Sequence, residues 1–108
     1  MSHDFDKPFR EVSAMGTFMA RSKADARRFG RYIKALEISN REYSHRFVRF
    51  AEQHQMKPPP SSVIHTISGY LVVRRLGTPE QYETWMPCEA FEELYAAVTE
   101  EPNSKSIF

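Results

Sequence analysis

The side chains best suited to proton transfer, metal ligation or nucleophilic attack are four histidines (His3, His45, His54 and His65) and one cysteine, Cys88. No histidine stands near another histidine or a carboxylate at a spacing that preorganises a metal site. No metal is therefore expected. Cys88 falls in the first turn of a predicted helix, where the dipole favours a thiolate, but no motif surrounds it, so a small helix-start residue is the simpler reading. Four glycines in the whole chain exclude a glycine-rich phosphate cradle. Glu92 and Glu93 are adjacent and diverge on a helix, which suits a solvated face rather than an acid–base pair. Neither catalysis nor a cofactor is expected.

Binding is the chemistry that the residue pattern does support. Arg27, Arg31 and Lys34 recur at i, i+4 and i+7, and Arg41, His45 and Arg49 at i, i+4 and i+8, so two basic helical stripes are predicted. Such stripes contact phosphates of a nucleotide or nucleic acid, or an acidic protein surface. The competing reading is a solvated helix face, and the sequence pI of 7.9 lies below the strongly basic range of dedicated nucleic-acid binders. Tyr82 and Trp85 offer rings for stacking on a base. A hairpin also needs large residues in its core, so at least one of the two is expected to be buried.

These residues require elements to hold them. Apolar residues at 9, 12, 14 and 15 before Gly16 predict an N-terminal strand over 8–16. Ser22 reads as an N-cap, and Ala26, Phe29, Tyr32, Ile33 and Leu36 predict a helix over 22–37, weakened at Gly30. Ser39 and Glu42 match a capping box and open a second helix over 39–55, ended by Pro58-Pro59-Pro60. Residues 63–66 read as extended. Tyr70-Leu71-Val72-Val73 and Gln81 to Met86 around Gly77-Thr78-Pro79-Glu80 predict a hairpin over 70–86, with Arg74 facing Glu83, Val72 facing Trp85 and Leu71 facing Met86. Pro87 suits the first position of a helix over 87–98 that carries Phe91, Leu94, Tyr95 and Val98 on one face. The polar residues 99–108 read as a flexible tail. The expected fold is α+β: one domain over 1–98, with a small antiparallel sheet made of the N-terminal strand plus the C-terminal hairpin, packed with two or three helices.

At 108 residues the chain suits one domain, which buries roughly two-thirds of its unfolded surface. Its 41% apolar and 27% charged content is that of a globular protein. Apolar runs of four or five residues fall far short of the ~20 that span a bilayer, so no membrane association is expected. The first seven residues lack a signal-peptide pattern, so a cytoplasmic location is expected. The near-neutral total hides a segregation: Arg21 to Arg49 holds nine basic and three acidic residues, whereas Glu80 to Glu101 holds seven glutamates and no Lys or Arg. Such asymmetry bears on partners and association rates.

Gly69-Tyr70-Leu71-Val72-Val73, then Tyr82-Glu83-Thr84-Trp85-Met86-Pro87, then Phe91 and Tyr95, resembles the ending of a group of small proteins of tailed bacteriophages and prophages. Lys7-Pro8-Phe9 and Val12-Ser13-Ala14 echo their N-terminal strand. Members often have serine before the proline, where Met86 stands here. The likeness covers about 40 of the 108 residues and leaves the charged insert from Ser22 to Gln55 unmatched. A fainter similarity links the strand ending in Trp and its following helix to phage anti-Thoeris proteins that sequester cyclic ADP-ribose-type signals. These resemblances imply an accessory binding protein in a bacterial host's cytoplasm that blunts host defence by trapping an anionic cyclic nucleotide, with a homo-oligomer as the expected assembly. The alternatives are a protein-directed inhibitor of anti-CRISPR type or a host-enzyme modulator, docking on a host defence protein through charged helices, and a weak nucleic-acid-binding module.

Overall fold

The structure, a computed structural model, describes residues 7–60 and 65–98. The expected tail over 99–108, the start of the expected extended segment at 63–66, and His3 lie outside the described residues. The class is α+β: a five-stranded antiparallel sheet with three helices. In chain order the elements are β1 (Gly16–Ala20), α1 (Lys23–Phe29), β2 (Tyr32–Ser39), α2 (Asn40–Phe50), β3 (Ser68–Arg74), β4 (Tyr82–Pro87), α3 (Cys88–Leu94) and β5 (Tyr95–Ala97). The sheet order is β4-β3-β2-β1-β5.

Both faces of the sheet are covered. On one face, Tyr43 of α2 packs with Ile38, Leu71, Val73, Trp85 and Met15. On the other, Phe91 of α3 packs with Ile33, Ala35, Val72, Ala20 and Tyr95, and Ala26 of α1 joins them. In the interior strand β3, Leu71, Val72 and Val73 are consequently all inaccessible to solvent. A strand covered on both faces reads as a continuous apolar run rather than an alternating one.

That two-sided cover corrects the helix expected over 22–37, which is helical only to Phe29. Gly30 adopts φ 99°, a left-handed value that few L side chains tolerate, and it ends α1. Residues 32–39 then form β2, paired with both β1 and β3. Ile33 and Ala35 serve the α3 face while Leu36 and Ile38 serve the α2 face. Apolar residues on opposite faces stand three apart, as on one face of a helix, and so mimic helical spacing.

The N-terminal strand begins later than expected, at Gly16; Val12–Ala14 is a 3-10 turn. Phe9, Val12 and Met15 lie three apart, which matches the three residues per turn of that conformation. The capping box at Ser39 and Glu42 is present, with Glu42 N donating to Ser39 Oγ at 3.1 Å and Ser39 N donating to Glu42 Oε1 at 2.8 Å. The helix it opens runs only to Phe50, and the chain continues through turns.

The hairpin exists with a register shifted by one residue from the expected one. Leu71 faces Trp85, Val73 faces Glu83 and Arg74 faces Tyr82. Two successive turns, with Thr78 N donating to Arg75 O and Gln81 N to Thr78 O, make the connection longer than the symmetric four-residue loop assumed. A one-residue shift exchanges the faces of a strand, so Glu83 and Trp85 both turn toward α2. Pro87 is the N-cap of α3 rather than its first helical residue. The helix expected to reach residue 98 ends at Leu94, because Tyr95–Ala97 pairs with β1. Arg21 helps to end it: its backbone N donates to Leu94 O and its Nε to Glu92 O, both at 2.8 Å. Among the described residues no helix is long and apolar enough to cross a membrane.

Candidate functional site

β1 and β3 end, and β2 and β4 begin, at one common end of the sheet. α1 sits there, and so do the cations its sequence carries. Arg21, Lys23, Arg27 and Arg31 line an open depression of about 400 Å3 with Met19, Ala20, Ser22 and Ala26. Arg27 and Arg31 also line an adjoining depression of about 440 Å3 with Arg28, Gly30, Tyr32, Arg75, Leu76, Thr78 and Glu80. Six cations thus surround two contiguous concavities, against one lining carboxylate, Glu80.

No ion pair to these six cations is found among the described residues. Among the described residues, the ion pairs are those that Arg46 and His54 make with Glu83. Rings rather than carboxylates steady the guanidinium groups: Arg28 lies 4.9 Å from the Phe29 centroid and Arg31 5.5 Å from that of Tyr32. Arg74 also lies over the Phe29 ring, 3.8 Å from its centroid, and donates to Tyr95 Oη at 3.1 Å. A cation over an aromatic face is partly ordered yet keeps its charge. The result is a concave face lined by six cations, with exposed Tyr32 as a ring at its edge.

Of the residues singled out from sequence, the fold brings only Arg27 and Arg31 to this basic face. Lys34 is withdrawn onto β2, where Nζ donates to Met15 O at 3.3 Å and Thr17 Oγ1 at 3.0 Å. Arg41 and His45 lie on α2 beside Asn40, Ser44 and Pro60, around a separate depression. Arg49 stacks over Phe9 at 4.6 Å. α1 and α2 pack against opposite faces of the sheet, so the basic insert does not form one surface. Tyr82, at the start of β4, is 36% exposed and lines neither basic depression.

Trp85 is core. It is 9% exposed, and its Nε1 donates to Ile38 O at 2.9 Å. A ring so placed has no face to offer a ligand, and Tyr32 is the aromatic group that accompanies the cations instead.

Sequence spacing missed a second cluster. Arg46 and Glu83, 1% and 2% exposed, form a two-pronged pair, with Nε to Oε1 at 2.7 Å and Nη2 to Oε2 at 3.2 Å. Arg46 Nη1 also donates to Pro8 O and Arg10 O. His54 Nδ1 lies 2.8 Å from Glu83 Oε2. The 29-position separation of His54 and Glu83 hides this pairing from any local pattern. The one available signal was Glu83 standing inside an otherwise apolar strand end. Beside it, Tyr43 Oη donates to Lys57 O, and burial, with the Glu83 charge next in weight, pushes the Tyr43 phenol well above its ordinary value. Cys88 is also shifted upward, chiefly by burial and then by Glu37 and Glu92, so its thiol is held protonated rather than activated by the helix start. Among the described residues no three of His, Cys, Asp and Glu gather as a metal site requires.

No protein-family model, no curated protein and no solved structure matches the chain.

Proposed function

We propose that this protein acts by binding, and that it takes a phosphate-bearing anion on the concave basic face around α1. The observation that carries this reading is the convergence of Arg21, Lys23, Arg27, Arg28, Arg31 and Arg75 on two joined depressions, with no ion pair to any of them among the described residues. Arg is the side chain best matched to phosphate, because its planar fork donates two parallel hydrogen bonds. Tyr32 beside the cations suits a ligand that carries a base as well as phosphate.

Together with the phage-like ending, the reading becomes an accessory protein that sequesters an anionic nucleotide signal of a bacterial defence system. Native mass spectrometry of the intact protein with a panel of cyclic ADP-ribose-type and cyclic dinucleotide compounds tests it. One retained nucleotide, lost on Arg27→Glu/Arg31→Glu, is the expected result; no retention across the panel overturns the nucleotide reading.

A second reading, docking on a host protein, is favoured by the outward charge of α3, whose Glu89, Glu92 and Glu93 are exposed while Phe91 is buried. Pull-down from host lysate with wild type and with the three glutamates changed to Gln distinguishes it. A partner lost only in the glutamine variant assigns docking to α3.

A further inference from the structure

A second cleft lies where the residues after α2 meet the start of β4, apart from the basic face. It has a volume of about 400 Å3 and is lined by Phe9, Arg46, Phe50, His54 and Gln81, with Arg10, Glu11 and Val12 at its N-terminal side. That volume is within the range of small-molecule sites.

Its walls are rigid. The His54 imidazole stacks on Phe50 at 4.9 Å with an interplanar angle of 4°, and Phe9 meets Phe50 edge-on at 6.3 Å. Arg46 lies over the Phe50 ring, 5.0 Å from its centroid. The cost of burying the Arg46–Glu83 pair is seldom recovered in stability alone. Here the pair fixes a carboxylate 2.8 Å from His54 Nδ1; a ring whose one proton sits on Nδ1 donates to that carboxylate and presents Nε2 as an acceptor. Nε2 has no hydrogen-bond partner among the described residues. Gln81 is fixed in the complementary sense: its Oε1 accepts from Gly77 N at 3.0 Å, which leaves its Nε2 as the donor to spare. Aromatic walls, one oriented acceptor and one oriented donor thus share a single cleft.

We propose that this cleft binds a planar heteroaromatic ring with a cyclic-amide edge, as in a uracil-type base. The ring N–H donates to His54 Nε2, the adjacent carbonyl accepts from Gln81 Nε2, and the ring lies against the apolar edges of Phe9 and Phe50, whose faces are covered by His54, Arg46 and Arg49. The site is independent of the basic face and takes a neutral ligand.

Titration with uracil, followed by NMR at the His54 and Phe50 ring protons, tests it against 1,3-dimethyluracil, which keeps the ring and carbonyls but has no N–H. Saturable shifts with uracil, about tenfold weaker binding of the dimethyl compound, and a similar loss in Gln81→Ala are expected, since each removes one hydrogen bond. His54→Phe, which preserves stacking on Phe50 and removes the acceptor, weakens binding likewise; if it fails to fold, the partly exposed Gln81→Ala variant carries the test. Arg27→Glu/Arg31→Glu leaves these shifts unchanged, so this site and the basic face fail separately. No saturable shift at His54, or equal binding of the two compounds, overturns the proposal.

Discussion

Trp85 shows how one side chain can be pulled between core and ligand roles, and which role geometry assigns it. Its indole spans the space between β4 and β2 and gives its only polar hydrogen to Ile38 O. As the sole tryptophan, it reports cleanly: its emission is expected to be blue-shifted, resistant to iodide, and unaltered by a ligand on the basic face. Quenching by such a ligand would return Trp85 to the site. Glu83 makes a sharper demand. Glu83→Gln keeps the shape but leaves Arg46 buried without a counter-charge, which costs about 3–5 kcal/mol in chemical denaturation. Replacing Arg46 and Glu83 together by apolar residues of similar size is expected to cost far less, and equal costs would deny the pair its coupling. Cys88 is expected to react slowly with a disulfide reagent at neutral pH and to speed up only above the ordinary thiol range, because burial and the charges of Glu37 and Glu92 hold its proton. At this scale sequence was informative about types and blind to partners. Arg27 and Arg31 were visible as cations, but Arg46 entered only the count of nine basic residues from Arg21 to Arg49, since its partner lies 37 residues away.

Two glycines decide how the elements meet. A Cβ at Gly69 would stand 2.3 Å from the Trp85 ring and 2.4 Å from Met86 O, so β3 approaches β4 there only without a side chain. Gly69→Ala is expected to lower the melting temperature by several degrees, through a strain of about 1–3 kcal/mol in a packed core; an unchanged melt would show that Trp85 can move aside. At Gly30, φ 99° is what separates α1 from β2. Ser39→Ala is expected to cost about 1 kcal/mol, the usual loss for an N-cap. The capping box was legible because it is a local, four-residue device. β2 was not, because Ile33, Ala35, Leu36 and Ile38 divide between two covered faces and imitate a helix. The register of the hairpin was not legible either, since the turn from Arg75 to Gln81 is held by backbone bonds and by Thr78, Gln81 and Gln55 side chains whose partners residue types do not specify.

Across the whole molecule, the sheet acts as a partition. It takes a basic stretch that is continuous in sequence and places α1 on one face and α2 on the other, so the charge concentrates at the end of the sheet around α1. Wholly or partly buried phenols and the thiol give the fold a common pH response. Tyr43, Tyr70, Tyr95 and Cys88 all hold their protons more tightly folded than unfolded, in each case chiefly through burial. Their contribution is therefore present in full below the unfolded values of 9.0 for the thiol and 10.0 for the phenols, and is lost as pH rises through the raised folded ones. Thermal melts between neutral and strongly alkaline pH should fall from about pH 9 upward, with the fall reduced in Tyr43→Phe. The basic face has its own dependence, on salt, because exposed charges are screened over roughly 10 Å at 0.1 M ionic strength. The most direct test of that face is calorimetric titration of the intact protein with a cyclic dinucleotide at low and high salt, beside Arg27→Glu/Arg31→Glu. Binding that weakens with salt, and falls at least about 100-fold in the folded double variant, as losing two charge-assisted contacts requires, is the result expected; equal affinity of the two proteins would contradict the assignment of the site to α1.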